Sequence, residues 1–351
     1  MKTKTSFLYT LRLALVVCIG LAAQPRLSAA DAAQTRAAFL KIIDRPRVAL
    51  AAETKDTGET NGVAYSRFTY ASDAEQRVPG ILLKQSKGTG RRAVVIAAHG
   101  TGGNKEGQIG LLRTLADKGF AAVAIDGRYA GDRIKTGKGT AEYNAAITRA
   151  FSTGQSHPFY YDTVWDLMRL VDYLETRDDV DAKRIGLIGF SKGGIETYFT
   201  AAADPRIAVA VPCIGVQSFQ WALENNAWKG RIGTIQGAFN AAAKEAGVTD
   251  ADAAFVRKFY DRVVPGIYDQ FDGPVMLTLI APRPLLVING DTDDKTPVPG
   301  IELCATAARA AYHGANAQER FVLRVQLNTG HKVNADSQQA AVEWFVKWLK
   351  P

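Results

Sequence analysis

A serine flanked by glycines two residues to either side, Gly189-Phe190-Ser191-Lys192-Gly193, sits where the apolar run 184–190 gives way to a helical pattern over 195–203. A strand that reverses sharply into a helix lifts such a hydroxyl clear of the backbone, and glycines at that spacing remove the side chains that would collide in the reversal. The chemistry open to Ser191 is nucleophilic attack; the plainer alternative is a serine that caps the helix. A serine hydroxyl is a weak nucleophile alone, so a base must lie within hydrogen-bond reach and a third group must orient that base. The chain has four histidines. His99 ends an apolar run in an HG turn, where structuring the loop is its simplest role; His157, before a proline, and His313, after a helix, read as surface residues. His331 stands apart because it follows an apolar run and Asn328-Thr329-Gly330, a loop that would carry it back to the top of a sheet, and it is the candidate base. An acid placed between nucleophile and base in chain order comes from Asn289-Gly290-Asp291-Thr292-Asp293-Asp294, which offers Asp291, Asp293 and Asp294. That run lacks the twelve-residue ligand spacing and closing Glu of a calcium loop.

Attack on an acyl carbon builds negative charge on the carbonyl oxygen, so donors must already be in place there. The amide of Lys192 is one. The turn His99-Gly100-Thr101-Gly102-Gly103 can supply the other, from Thr101 or, failing that, Gly102. The turn matches neither G-x-x-x-x-G-K-[ST] nor G-x-G-x-x-G, which weakens a phosphate-cradling role. Arg128 and Arg133, in the loop after 121–125, are candidates to recognise a carboxylate on a substrate, the alternative being solvated or ion-paired loop arginines. Trp221 is the candidate aromatic substrate contact, among neighbours for which packing is the simpler role.

These residues need a scaffold, and from position 93 onward the chain alternates strand and helix in the manner of a doubly wound, mostly parallel sheet. Strands are expected at 93–98, 121–125, 184–190, 207–214, 284–289 and 320–327, with helices at 106–118, 162–177, 195–203, 300–311 and 335–349. In the last helix Val342, Phe345, Val346 and Leu349 should form the buried face. Ahead of this core, 31–43 reads as a helix, and 63–70 with 78–84 as an antiparallel pair at the sheet edge. The polar, Gly-rich stretch after 125 as far as 158 reads as a long loop. Residues 215–283, rich in aromatics at mostly helical spacing, read as a helical, cap-like insertion over the sheet, so that 31–351 forms one catalytic domain.

Hydrophobic content of 47% with 22% charged residues is globular composition. The net charge of +8 is misleading, because Lys2, Lys4, Arg12 and Arg26 lie in a first segment without acids, and removing those four leaves +4. With no basic tract of nucleic-acid-binding type, a nucleic-acid partner is not expected. The basic start, the apolar run 13–23 and Ser28-Ala29-Ala30 predict an export signal over 1–30, too short for a lasting membrane span, and a periplasmic or extracellular protein. Cys18 would leave with it. Cys213 and Cys304 then permit one disulfide, or are buried as small residues. The residues give no positive sign of a metal or organic cofactor.

The HGTGG turn, GFSKGG elbow, GDTDDKTP loop and GHK loop, in this order, resemble the α/β-hydrolase superfamily, most of all its dienelactone hydrolase and acetyl xylan esterase-like branch. PFYYDTVWDLMRLVDYLETRDDVD followed by RIGLIGFSKGG is also similar to a little-characterised plant and bacterial group of these hydrolases. The resemblance spans 63–350. It implies that Asp293, three residues past Gly290 and four before Pro297, is the acid that turns inward, with Asp291 next in line. It implies a serine carboxylic ester hydrolase, of carboxylesterase or acetyl esterase type, acting on a small-molecule or carbohydrate ester. Dienelactone hydrolases proper have Cys where this chain has Ser191, which favours an ordinary serine esterase over a lactonase. A peptidase or acyltransferase on the same residues, and a non-catalytic carbohydrate- or partner-binding relative, remain alternatives.

Overall fold

In the computed structural model, residues 29–88 and 90–351 are described. The expected export signal over 1–30, apart from the backbone of its last two residues, lies outside the described residues. After α1 (Ala29–Ile43), three strands form an antiparallel meander: β1 (Glu53–Thr60), β2 (Val63–Ala71) and β3 (Arg77–Gln85). Then come β4 (Arg92–Ala98), α2 (Ile109–Asp117), β5 (Ala121–Ile125), α3 (Gly139–Thr153), α4 (Tyr161–Glu175), β6 (Val180–Phe190), α5 (Lys192–Ala203) and β7 (Ile207–Cys213). Five helices fill the stretch before the next strand: α6 (Phe219–Glu224), α7 (Lys229–Ile232), α8 (Gln236–Glu245), α9 (Ala253–Val263) and α10 (Gly273–Thr278). The chain closes with β8 (Leu285–Gly290), α11 (Val298–Gly314), β9 (Phe321–Gln326) and α12 (Ala335–Leu349).

The nine described strands form one sheet in the order β1-β2-β3-β5-β4-β6-β7-β8-β9. From β5 to β9 every neighbouring pair is parallel. Parallel strands are covered on both faces and so read as unbroken apolar runs, and β4 shows how the alternation still sorts them. Val94 and Ile96 pack into one core with residues of α4 and α5, whereas Ala93, Val95 and Ala97 pack into a second core with residues of α2 and α12. This layering places the elbow at the carboxyl end of β6, in the middle of the sheet beside β4, with the acid and base loops at the same end of β8 and β9.

Three expectations need correction. The edge of the sheet is β1 rather than β2, because Glu53–Thr60 pairs with β2 while exposing all eight residues. Its polar sequence and the irregularity between Asp56 and Gly58 suit an edge that must not recruit another strand. The long loop contains α3, whose Tyr143, Ala146, Ile147, Ala150 and Phe151 are buried at helical spacing, and against which α8 and α9 pack. In α12 the buried stripe runs through Ala341, Val342, Phe345 and Leu349. Val346 falls just past its rim at 37% exposure. Cys213 and Cys304 are both buried and unpaired. Among the described residues no helix is long and apolar enough to cross a membrane.

Candidate active site

Ser191 stands between β6 and α5 with φ +55° and ψ −113°, a backbone conformation that non-glycine residues avoid at a cost of roughly 1–3 kcal/mol. Contact holds it there. A Cβ on Gly189 would stand 2.1 Å from the Gly193 carbonyl oxygen, so strand and helix can approach this closely only with glycine at 189. The Ser191 N–H donates to the Cys213 carbonyl at 2.9 Å, and the Ser191 carbonyl accepts from Ile195 at 3.0 Å, which locks the residue to β7 and α5 together.

His331 reaches Ser191 from the loop after β9. Its Nε2 lies 2.7 Å from Ser191 Oγ and its Nδ1 2.7 Å from Asp293 Oδ2. With Nδ1–H donating to the carboxylate, Nε2 is free to accept from the serine hydroxyl. Asp293 is itself held: Oδ1 accepts from the Lys295 N–H at 2.9 Å and Oδ2 from Thr296 Oγ1 at 2.7 Å. Burial alone would raise its pKa, but the bonds from His331, Thr296 and Lys295 outweigh it and keep the carboxyl below the ordinary carboxylate range. Asp291 faces elsewhere, accepting from the Asn328 and Thr329 N–H groups at 3.0 and 2.9 Å, and so clamps the base loop onto the acid loop. Asp294 pairs with Lys295. The three carboxylates thus diverge toward different partners, and among the described residues no cluster of His, Cys, Asp and Glu is arranged to hold a metal.

The HGTGG turn lies against the elbow. A Cβ on Gly100 would be 3.2 Å from the Phe190 carbonyl oxygen and 3.5 Å from Ser191 Cβ. Thr101 is exposed at the tip, Gly102 beside it has φ +75°, and Lys192 as the first residue of α5 has no helical carbonyl one turn behind its N–H. His99 fastens this turn: Nε2 accepts from the Gly127 N–H at 2.9 Å, which leaves Nδ1–H to donate to the Gly100 carbonyl at 2.8 Å. Burial, and then the nearby Lys192 ammonium, push its pKa down to about 4, so the ring stays neutral as both bonds require.

Sequence reasoning missed an ionic layer beneath the turn, buried at Lys105 and Asp126 and open to solvent at Asp132. Lys105 Nζ, 1% exposed, contacts Asp126 and Asp132 at 2.7 Å each, and the Asp126 carboxylate also accepts the Lys105 and Asp132 amides, tying the turn to the loop after β5. The Lys192 ammonium folds back to Glu196, one helical turn on, and both are buried. Burial raises the Glu196 carboxyl, with Lys192 opposing. The i, i+4 spacing of that pair was a readable signal. Arg128 must be withdrawn as a free carboxylate receptor. Its Nε and Nη2 donate to Asp166 at 2.8 Å each, and Nη2 reaches Asp73 at 3.1 Å, in an environment where Arg128 is only 9% exposed. Arg133 joins the same carboxylate at 2.6 Å. Trp221 is half-buried on α6, its ring 3.3 Å from where a Cβ on Gly300 would be, near the start of α11 just past the acid loop.

Comparison with known proteins agrees with this architecture. A sequence profile of the acetyl xylan esterase (AXE1) family matches residues 41–222, just over half of the chain. The chain belongs to the acetyl xylan esterase (AXE1) family. The matched span carries the HGTGG turn and the elbow, while Asp293 and His331 lie beyond it. YtaP of Bacillus subtilis (strain 168) is 27% identical over 291 residues, 79% of this chain and 85% of that protein. The acetyl xylan esterase from Paenibacillus sp. R4 superposes with a TM-score of 0.60 at 21% identity, over 90% of this chain and 93% of that one. Acetyl xylan esterase 1 from Thermoanaerobacterium sp. JW/SL YS485 gives 0.66 at 17% identity, over 91% and 93%. A glucuronoyl esterase from Solibacter usitatus gives 0.63 at 16% identity, over 93% and 95%. At these identities the structural likeness speaks for the α/β-hydrolase fold, and membership of the AXE1 family makes the chain a hydrolase of carboxylic ester type.

Proposed function

We propose that this AXE1-family chain is an exported serine esterase that removes acyl groups, acetyl foremost, from carbohydrate esters. Ser191 Oγ attacks the ester carbonyl carbon while His331 Nε2 takes its proton, and Asp293 holds the imidazole and steadies the cation that forms. The oxygen of the tetrahedral intermediate takes its hydrogen bonds from the amides of Lys192 and Thr101. Collapse breaks the ester C–O bond, the alcohol leaves with the proton from His331, and water, activated by the same imidazole, releases the carboxylic acid from Ser191. The observation that carries this reading is the unbroken chain of two 2.7 Å contacts from Ser191 through His331 to Asp293. Membership of the acetyl xylan esterase family supports the choice of acyl group and of a sugar as the alcohol.

The test is Ser191→Ala, which should lower turnover of p-nitrophenyl acetate by about 10⁴-fold or more. Full activity, or a fluorophosphonate probe that fails to label Ser191 in the folded wild-type chain, overturns the serine mechanism. Export is tested separately: the N-terminus of secreted protein should begin at Asp31.

A further inference from the structure

The geometry points to a second point of substrate recognition beside the acid loop, and we propose that Arg231, with the Tyr160 and Tyr260 hydroxyls, receives a free carboxylate carried by the ester being cleaved. Arg128, Arg169 and Arg231 are all buried. The first two pair with Asp166 and Asp172, whereas Arg231, 3% exposed, makes no ion pair among the described residues. Its Nη2 donates to the Lys295 carbonyl at 3.1 Å, and its Nε–H has no acceptor. Asp294, whose side chain passes close to Gly230, is 71% exposed and pairs with Lys295 instead. A guanidinium taken out of water in this way carries a desolvation penalty that one carbonyl does little to offset and that a carboxylate is suited to answer.

The guanidinium is tied to the triad on one side. A Cβ on Gly230 would stand 2.4 Å from the Asp294 carbonyl oxygen, so α7 is seated on the acid loop. Lys295, whose carbonyl Arg231 holds, donates its own N–H to Asp293 Oδ1 at 2.9 Å, so two hydrogen bonds separate Arg231 from the carboxylate that orients His331. The tyrosines are tied to the elbow. The Phe219 ring lies between theirs, 6.5 Å from Tyr160 and 6.1 Å from Tyr260, and Phe219 follows Gly215 by four residues. A Cβ on Gly215 would be 2.7 Å from the Ser191 carbonyl oxygen. Both hydroxyls are buried without a completed hydrogen bond, and both feel the Arg231 charge. Burial pushes the two phenols well up, with Arg231 opposing, so both stay protonated and can donate. Tyr160 is held there with φ +83° and ψ −65°, a strained turn that persists only where the surroundings impose it. One buried cation with two hydroxyl donors is a set that matches the oxygens of a carboxylate.

This inference deepens the proposed esterase reading and rests on it for the position of the ester. The experiment uses the full chain and two matched pairs of esters. In 4-acetoxybenzoate against 4-acetoxybenzamide the carboxylate is on the alcohol; in mono-p-nitrophenyl glutarate against p-nitrophenyl pentanoate it is on the acyl group. In at least one pair the wild type should favour the charged ester about tenfold in kcat/KM, as expected for a hydrogen bond to a charged group, and the pair that shows this tells which half carries the carboxylate. The ratio should fall to near one in Arg231→Gln and be kept in part by Arg231→Lys. Tyr260→Phe, which keeps the ring, should lower it about threefold and decides the matter if Arg231→Gln fails to fold. No preference for either charged ester, or a preference that these variants leave intact, overturns the receptor. If the wild type hydrolyses none of the four, the esterase reading fails, while calorimetric titration of the Ser191→Ala chain with the same esters still decides whether the carboxylate is bound through Arg231.

Discussion

Around Ser191 the backbone is fixed by contact, with Gly189 against Gly193 and Gly100 against Phe190, over a floor of buried ion pairs. Around His331 one such contact, Gly290 against the Thr329 carbonyl, is joined by hydrogen bonds in a more open setting, where Asp291 holds two amides and Gln326 bridges the Lys332 carbonyl and the Asn334 amide. Leu327 beside it is 77% exposed and the His331 side chain 20%. The difference follows from what each group has to do. The nucleophile must stay in a strained conformation, which dense packing over-determines. The base takes and returns a proton, and a loop anchored at one contact and otherwise tied by hydrogen bonds leaves its imidazole more room than the elbow leaves the serine.

Substitutions in the two halves should therefore fail in different ways. Asp293→Asn should have the largest effect, lowering kcat by about 10⁴-fold through the wrong imidazole tautomer while the melting temperature hardly moves. A melting temperature that collapses with activity would mean that the base half is packed as rigidly as the elbow. Next comes Arg128→Ala, which leaves Asp166 buried with Arg133 alone and should cost about 3 kcal/mol in urea denaturation, near the low end for breaking a buried pair. Burial would raise the Asp166 carboxyl, but Arg128 and Arg133 hold it well below the ordinary range. Its stabilising contribution is therefore complete above about pH 4 and drains away as pH falls further. The stability gap between wild type and variant should narrow on acidification, and a gap constant with pH would count against the ion pair as its source. Gly189→Ala should cost about 1–3 kcal/mol by forcing two backbones apart, with kcat falling alongside. Smallest, Asp291→Ala should lower kcat about tenfold by loosening the base loop, with the urea midpoint nearly unmoved. A large stability loss there would erase the contrast between the halves.

The parts of the site that read out of the sequence are those whose chemistry is local. The HGTGG turn, the elbow and the His331 loop each declare themselves within about five residues, because tight turns at strand ends need particular residue types. Asp293 and Asp291 could not be separated that way without a known relative, since both belong to one loop and differ only in the direction each side chain takes. Residues 53–60 escaped notice because a strand built of ETKDTGET has no apolar pattern and exists by pairing with β2. The α3 helix was readable in the spacing of Tyr143, Ile147 and Ala150 and was hidden by its Gly-rich approach. The Arg128 outcome is of another kind: its partners Asp166 and Asp73 lie 38 and 55 residues away along the chain, so nothing nearby announces that its charge is already matched.

By itself the sequence determined the α/β order of elements, the identity of the nucleophile and base candidates, and the family resemblance, because apolar periodicity and turn chemistry act over a few residues. Only the tertiary structure decided which aspartate meets His331, that Arg128 and Arg133 are locked into ion pairs, and that α7 is seated on the acid loop. Those outcomes depend on where side chains distant in sequence converge, and a free carboxylate or guanidinium takes its role from the partner it finds there.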